Sequence, residues 1–306
     1  MAKILVTGGA GFIGSNLVDA LIEKGHKVAV IDDLSTGKRE YINSKAEFYK
    51  TDIVSEEIKD IFKKERYDLV YHLAAQIDIQ KSIENPIYDA EINILGTINI
   101  LEACKEHGVS KIVYASSAAV YGEPKYLGID EEHPIAPISY YGISKYTPED
   151  YIRSYSSLWG LDYTILRYAN VYGIRQDPKG EGGVISIFMD KMLRSDAPVI
   201  YGDGNATRDF IYVEDVVKAN LLAMDKVNRK AINIGTGRAI SVNELFDTMK
   251  NLMSYKGNVQ YGPERKSDIK DSYFNIDKAR NDMDWKADYS IEEGLIKTIN
   301  YYLEKI

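Results

Sequence analysis

The stretch that most constrains this chain is Ile4-Leu5-Val6-Thr7-Gly8-Gly9-Ala10-Gly11-Phe12-Ile13-Gly14. An apolar run turns through glycines and passes at once into a segment with helical period, Phe12, Ile13, Leu17, Val18, Leu21 and Ile22. The pattern predicts a strand, a tight loop and a helix. Glycines let backbone approach an anion, and a helix start offers unpaired N–H groups and the positive end of a dipole. A second apolar run, Val28 to Ile31, ends in Asp32, 18 residues after Gly14. A carboxylate there takes both hydroxyls of an adenosine ribose and repels a 2′-phosphate. Strand, loop, helix, second strand and terminal acid in register predict a dinucleotide site that favours NAD over NADP.

The rest of the chain is compatible with such a site. Its 306 residues allow one large domain or two coupled ones, and 45% hydrophobic with 27% charged residues is a globular composition. With a net charge of −8 and no basic block, no nucleic-acid partner is expected. No apolar run has the length of a membrane span, and Met1-Ala2-Lys3 leads straight into the first strand, so neither a membrane anchor nor a signal peptide is expected. The single cysteine, Cys104, sits in a helical apolar pattern, reads as core and points to a reducing cytoplasm. Four scattered histidines show no ligand spacing, and no metal is expected.

Strand-like runs recur at Ile4–Val6, Val28–Ile31, Ala46–Tyr49, Leu69–Leu73, Lys111–Ala115 and Tyr163–Tyr168, mostly with helical patterns between them. This alternation predicts an α/β fold, a Rossmann-type doubly wound parallel sheet. Ligands bind such sheets outside the carboxyl ends of the strands. At those ends stand Asp52-Ile53, where a carboxylate meets an adenine amino group, and Ala74-Ala75-Gln76, whose small residues let a cofactor lie close. Ser116-Ser117 and Tyr168-Ala169-Asn170 follow the next two strands. Beyond about residue 171 the alternation fades. A loop rich in turn residues, Pro178 to Gly183, precedes a helix to about Arg194. Capping boxes at Ser241–Glu244 and Ser290–Glu293 open two further helices. The expected domains are 1–172, binding NAD, and 173–306, a smaller mixed α/β substrate domain, with segments around 207–237 returning to the first.

The chemistry concentrates in Tyr141-Gly142-Ile143-Ser144-Lys145 with Ser117 upstream. Residues four apart on a helix share a face, so Tyr141 and Lys145 point the same way. A phenol with a pKa near 10 is a poor base at neutral pH, but a nearby ammonium and an oxidised nicotinamide favour the phenolate. Tyr141 then removes a hydroxyl proton while hydride leaves the same carbon, Ser117 holds the same oxygen, and Lys145 also grips the nicotinamide ribose.

These residues resemble the extended short-chain dehydrogenase/reductase group and, within it, the UDP-hexose 4-epimerases. The resemblance runs nearly the full length, through Thr7 to Gly14, His72-Leu73-Ala74-Ala75, Asn93 to Thr97, Ser116 to Gly122, Tyr141 to Lys145, Arg167 to Gly173, Tyr201 to Gly204, Arg208-Asp209-Phe210, and Arg265 with Asp268. It implies that Ser117, Tyr141 and Lys145 are catalytic. It implies NAD contacts for Gly8, Gly11, Gly14, Asp32, Asp52, Ile53 and Asn93. Phe12, Ile13, Asp33, Leu73, Ala74, Ala75, Gln76, Ser116, Tyr141, Lys145 and Tyr168 complete the expected cofactor set. On the substrate side it implies Ser117, Tyr141, Asn170 on the diphosphate, Arg208 and Arg265 on the phosphates, Asp268 on the nucleotide ribose, and Val199 and Tyr201 beside uracil. The implied reaction is transient oxidation at C4: the keto sugar swings about its diphosphate and takes hydride back on its other face while NAD stays bound.

The family's 4,6-dehydratases carry an Asp-Glu pair after the serine or threonine, where this chain has Ala118 and Ala119, so dehydration is disfavoured. A UDP-glucuronate 4-epimerase, a reductase that releases its cofactor each turn, or a regulator that only binds NAD or nucleotide sugar stay as alternatives. Counting seven residues from Arg265, Ser272 takes a gate position and implies room for the N-acetyl group of UDP-GlcNAc and UDP-GalNAc. Tyr140, Pro148 and Ser267 depart from the family pattern. Pro148 is expected to cost a hydrogen bond and bend the catalytic helix unless that helix starts late. The same resemblance implies a homodimer built on this helix and the one near Ala90–Cys104.

Overall fold

The computed structural model describes residues 1–179, 183–264 and 269–304. In chain order its first half runs β1 (Lys3–Thr7), α1 (Phe12–Glu23), β2 (Lys27–Ile31), β3 (Glu47–Tyr49), α2 (Glu57–Lys64), β4 (Leu69–His72), α3 (Ile79–Glu84), α4 (Pro86–Ala90), α5 (Gly96–His107), β5 (Lys111–Ser117), α6 (Tyr140–Trp159) and β6 (Asp162–Tyr168). These strands form a parallel sheet in the order β6-β5-β4-β1-β2-β3, and the strand Lys230–Ile234 adds a seventh beyond β6. The chain reverses direction between β1 and β4, the switch point at which such sheets open a crevice.

The strands are apolar on both faces because both are covered. One face packs Val6, Tyr71, Val113 and Leu166 against Leu17 and Leu21 of α1, together with Val216 and Ala219 of the helix Val213–Ala223. The other packs Leu5, Val70, Ile112 and Ile165 against Phe62, Ile100, Cys104 and Ile152. A third cluster gathers Phe188, Met192, Phe246, Met249 and Leu295 from the helices Val184–Leu193, Val242–Leu252 and Ile291–Leu303. The last two of these helices open with the capping boxes Ser241–Glu244 and Ser290–Glu293. Short strand pairs stitch this region together, among them Asn170–Tyr172 with Phe210–Tyr212. Among the described residues no helix is long and apolar enough to cross a membrane.

Pro148 falls inside the catalytic helix. α6 does not start late: it begins at Tyr140, capped by Ser139 Oγ accepting from the Gly142 N–H, and runs unbroken past a buried Pro148 to Gly160. The proline therefore sits in the middle of the helix, where it withholds an N–H from the Ser144 carbonyl. Packing against β5, β6 and the π-helical turn Glu91–Leu95 holds the helix together across it.

Candidate active site

Two cavities adjoin at the carboxyl ends of the strands, sharing Phe12, Ile13 and Ile77 in their walls. The first, of about 210 Å³, is lined by Gly8, Gly11, Gly14, Asp32, Asp33, Asp52, Ile53, Leu73, Ala74, Ala75 and Gln76, all expected from sequence. Its glycines have distinct reasons to be there. Gly8 holds φ +70°, and a Cβ on it would lie 2.7 Å from the Ala74 backbone nitrogen. A Cβ on Gly14 would lie 2.1 Å from the Gly8 carbonyl oxygen. Gly11 caps α1 without a side chain, leaving the helix start open to the cavity. This cradle fits a dinucleotide diphosphate, because any side chain in it would fill the space or displace the loop.

Asp32 is set by its own backbone. Its Oδ2 accepts from the Ala10 N–H (2.9 Å) and its Oδ1 from the Leu34 N–H (2.9 Å). Burial raises its carboxyl above the usual range, against the pull of those two bonds. Each oxygen keeps a second lone pair for a ligand hydroxyl. His72 shows how the loops on β1 and β4 are locked. Its Nδ1 lies 2.7 Å from Thr7 Oγ1 and its Nε2 2.9 Å from Thr97 Oγ1. Thr97 spends its proton on the Asn93 carbonyl, so it accepts from Nε2–H, and Nδ1 accepts from Thr7. Burial pushes the ring down to about 3, and it stays neutral.

The second cavity, of about 610 Å³, carries Ser116, Ser117, Tyr141, Tyr168, Asn170, Val199, Tyr201 and Arg208 on its walls. Tyr141 reaches it because Gly142 permits a close approach: a Cβ there would lie 2.6 Å from the Ala119 carbonyl oxygen, just beyond Ser117. The Tyr141 N–H donates to Ser82 Oγ (3.2 Å), tying the start of α6 to α3. Ala118 and Ala119 form the 3₁₀ turn after Ser117 and offer no side chain that carries a proton. Lys145 is buried behind this wall, its Nζ 4.5 Å from the centre of the Tyr114 ring. Burial pushes its ammonium down to about 7, with Glu149 and Asp89 opposing.

Not every expected residue lines a cavity. Asn93 is absent from both walls. Its Oδ1 accepts from the Gln76 N–H and its Nδ2 donates to the Gln76 carbonyl and to Ser144 Oγ, so it braces the β4 loop against α6. Ser116 does line the second cavity, but its Oγ donates to the buried Glu149 (2.6 Å). Ser272 lies off the second cavity's wall, its N–H bonded to the Thr207 carbonyl. Arg265, Ser267, Asp268 and Gly180 to Gly182 lie outside the described residues. Conversely, Lys81 and Tyr88 line the first cavity, and Gln176, Phe188 and Lys191 the second, without having been expected there. Position after β4 could have flagged the first two. Gln176 is buried, its Oε1 meets no protein donor, and only the turn-rich loop that follows it hints at its place.

Comparison with known proteins agrees with this geometry. Residues 4–235 match the NAD-dependent epimerase/dehydratase family. A Methanocaldococcus jannaschii protein, provisionally named UDP-glucose 4-epimerase, is 52% identical over 299 residues covering 97% of each chain. The crystal structure of Thermotoga maritima UDP-glucose 4-epimerase with UDP-glucose superposes with a TM-score of 0.98 at 46% identity, covering 99% of both chains. Thermus thermophilus UDP-glucose 4-epimerase in complex with NAD superposes with a TM-score of 0.95 at 37% identity, over 99% of this chain and 100% of that one. The chain belongs to the NAD-dependent epimerase/dehydratase family, within the extended short-chain dehydrogenases/reductases.

Proposed function

We propose that this protein is an NAD-dependent UDP-hexose 4-epimerase that interconverts UDP-glucose and UDP-galactose. The observation that carries the reading is the pair of adjoining cavities, a glycine-lined one beside Asp32 and a larger one with Ser117 and Tyr141 on its wall. Gly8, Gly11, Gly14 and Asp32 would hold the cofactor's diphosphate and adenosine ribose, with Asp52 and Ile53 further along the same wall. Bound there, NAD supplies the hydride acceptor and donor for C4 of the sugar. Tyr141 takes the proton from the 4-hydroxyl and later returns one, while Ser117 holds that oxygen by hydrogen bond. Lys145, as an ammonium behind Tyr141, favours the phenolate and makes the phenol an effective base near neutral pH.

Arg208 and Asn170, on the wall of the larger cavity, would anchor the diphosphate, with Val199 and Tyr201 beside the base. A forked guanidinium suits that task, and binding energy spent there keeps the sugar in place while it turns. Arg265 and Asp268 are proposed for the same end on resemblance alone. The second domain is read as residues 173–306, with the strand Lys230–Ile234 returned to the main sheet. A homodimer is proposed through α6 and the stretch formed by the π-helical turn and α5, where Leu158 and Trp159 of α6 and Leu95 of that turn are 71%, 60% and 58% exposed; light scattering at a dimer mass supports it, and a monomer mass removes it. The buried Cys104 is compatible with the proposed cytoplasmic location.

Chromatographic product analysis tests the function. Purified protein without added NAD should convert UDP-galactose to UDP-glucose; no conversion, even after NAD is added, removes the reading. UDP-GalNAc run in parallel examines the Ser272 expectation. Turnover of UDP-GalNAc keeps an open sugar pocket, and turnover of UDP-galactose alone restricts the enzyme to plain hexoses.

A further inference from the structure

Lys145 is only 4% exposed, and burial works against an ammonium. Two carboxylates that line neither cavity act on it. Glu149, one turn further along α6, is wholly buried and accepts from Arg167 Nε (3.0 Å) and Nη2 (2.6 Å), Arg153 Nη2 (2.7 Å) and Ser116 Oγ (2.6 Å). Burial alone would raise its carboxyl, but the Arg167 fork, with Ser116 and Arg153, holds it below the usual range. Asp89, on α4, is 1% exposed and is held by amides: its Oδ1 accepts from Gln76 Nε2 (2.7 Å) and Asn93 Nδ2 (3.3 Å). No ion pair joins Asp89 to a described cation. Asn93 in turn donates to Ser144, the neighbour of Lys145 in α6. The Asn93 amide thus bridges Asp89 to α6 at Ser144, which brings the Asp89 carboxyl beside the buried Lys145.

We propose that Asp89 and Glu149 are positioning residues that keep the buried Lys145 charged behind Tyr141, one acting from α4 and one from its own helix. The inference rests on the role given to Lys145 above. The other neighbours do not substitute for them. Tyr114 from β5 presents its ring face, His72 from β4 is neutral, and the turn after β5 brings only Ala118, Ala119 and Val120. From the π-helical turn comes the uncharged Asn93, and from α5 and α3 the uncharged Thr97 and Ser82. Arg167 from β6 and Arg153 on α6 pair with Glu149 and offset part of its charge, which leaves Asp89 as the carboxyl with no described cation paired to it. Tyr141, on the same helix, is the group that benefits.

The test is a pH titration of the full-length protein labelled with ¹³Cε-lysine, whose shift separates ammonium from amine, with Lys145→Arg to assign the resonance. The isosteric variants Glu149→Gln and Asp89→Asn should each lower the Lys145 midpoint by about one pH unit. The alkaline limb of kcat for UDP-galactose should move down by the same amount, with KM within about twofold. Midpoints and limbs that stay put in folded variants, even with a lower kcat, reduce both residues to structural braces and overturn the proposal. Should Glu149→Gln fail to fold, Asp89→Asn decides, because among the described residues the hydrogen bonds to its carboxyl come from the Gln76 and Asn93 side-chain amides. If the wild type turns over no UDP-sugar but the Lys145 midpoint still falls in the variants, the inference stands and the epimerase reading alone falls.

Discussion

The two cavities are built in different ways. The smaller one takes its walls from short contiguous runs after β1, β2, β3 and β4, and the steric limits at Gly8 and Gly14 are set by backbone atoms. The larger one joins the end of β5, Tyr141 of α6, the run Tyr168–Tyr172, the helix Val184–Leu193 and the segments around Tyr201 and Arg208, which lie far apart in sequence. A site made of backbone geometry tolerates no added atom, whereas a site made of dispersed side chains loses function one contact at a time. Tyr141 belongs to the second, yet its place depends on the tight contact at Gly142, so the chemical step sits where the two designs meet.

Substitutions can break this contrast, beginning with the largest effect. Tyr141→Phe should lower kcat by about 10³-fold, the loss of a positioned general base, while cofactor binding and melting temperature stay near wild type. A loss under tenfold by steady-state rates would move the base elsewhere. Gly14→Ala should destabilise the fold by about 3 kcal/mol and weaken NAD binding, since the new methyl meets the Gly8 carbonyl. Denaturant melts and cofactor titration read both; an unperturbed variant would contradict the steric account of the loop.

Acid should unlock the same loops. His72 is held near 3 in the fold against about 6.5 in an unfolded chain. The unfolded state therefore binds a proton that the folded state refuses, so stability is full above about pH 6.5 and is lost as pH falls towards 3. The cost reaches roughly 2–3 kcal/mol by about pH 4.5. Urea midpoints at several pH values should show this drop, and His72→Gln should flatten it; an equal slope in the variant would assign the effect to other groups. Arg208→Ala is the smallest change, raising KM for UDP-galactose about tenfold with cofactor affinity unchanged, the expected loss of one charge-assisted contact. Weakened cofactor binding in that variant would erase the distinction between the two cavities.

Legibility from sequence follows the same division. The apolar runs announced six of the sheet's strands, and the residues after them predicted nearly the whole first cavity, because contiguity in the chain is contiguity in that wall. The strand Lys230–Ile234 was not among the predicted strands, although segments around 207–237 were expected to return to the first domain; it begins with an exposed lysine and lies beyond the βα alternation. Asn93 and Lys145 were expected at the ligand; both are buried and neither lines a cavity. Partners such as Thr7 and Thr97 for His72, or Ser116 and Arg167 for Glu149, lie far away in sequence, and no local pattern encodes them. Pro148 was expected to cost a hydrogen bond unless the helix starts late, and it lies inside α6, which starts at Tyr140.

The central claim is that one hydride leaves and returns within the joined cavities while the cofactor stays in place. UDP-galactose carrying deuterium at C4 can be converted in ordinary water with excess unlabelled NADH present, and the UDP-glucose formed analysed by mass spectrometry. Full retention of deuterium at C4 is the predicted result. Loss of label to the free cofactor pool or to solvent would contradict the account.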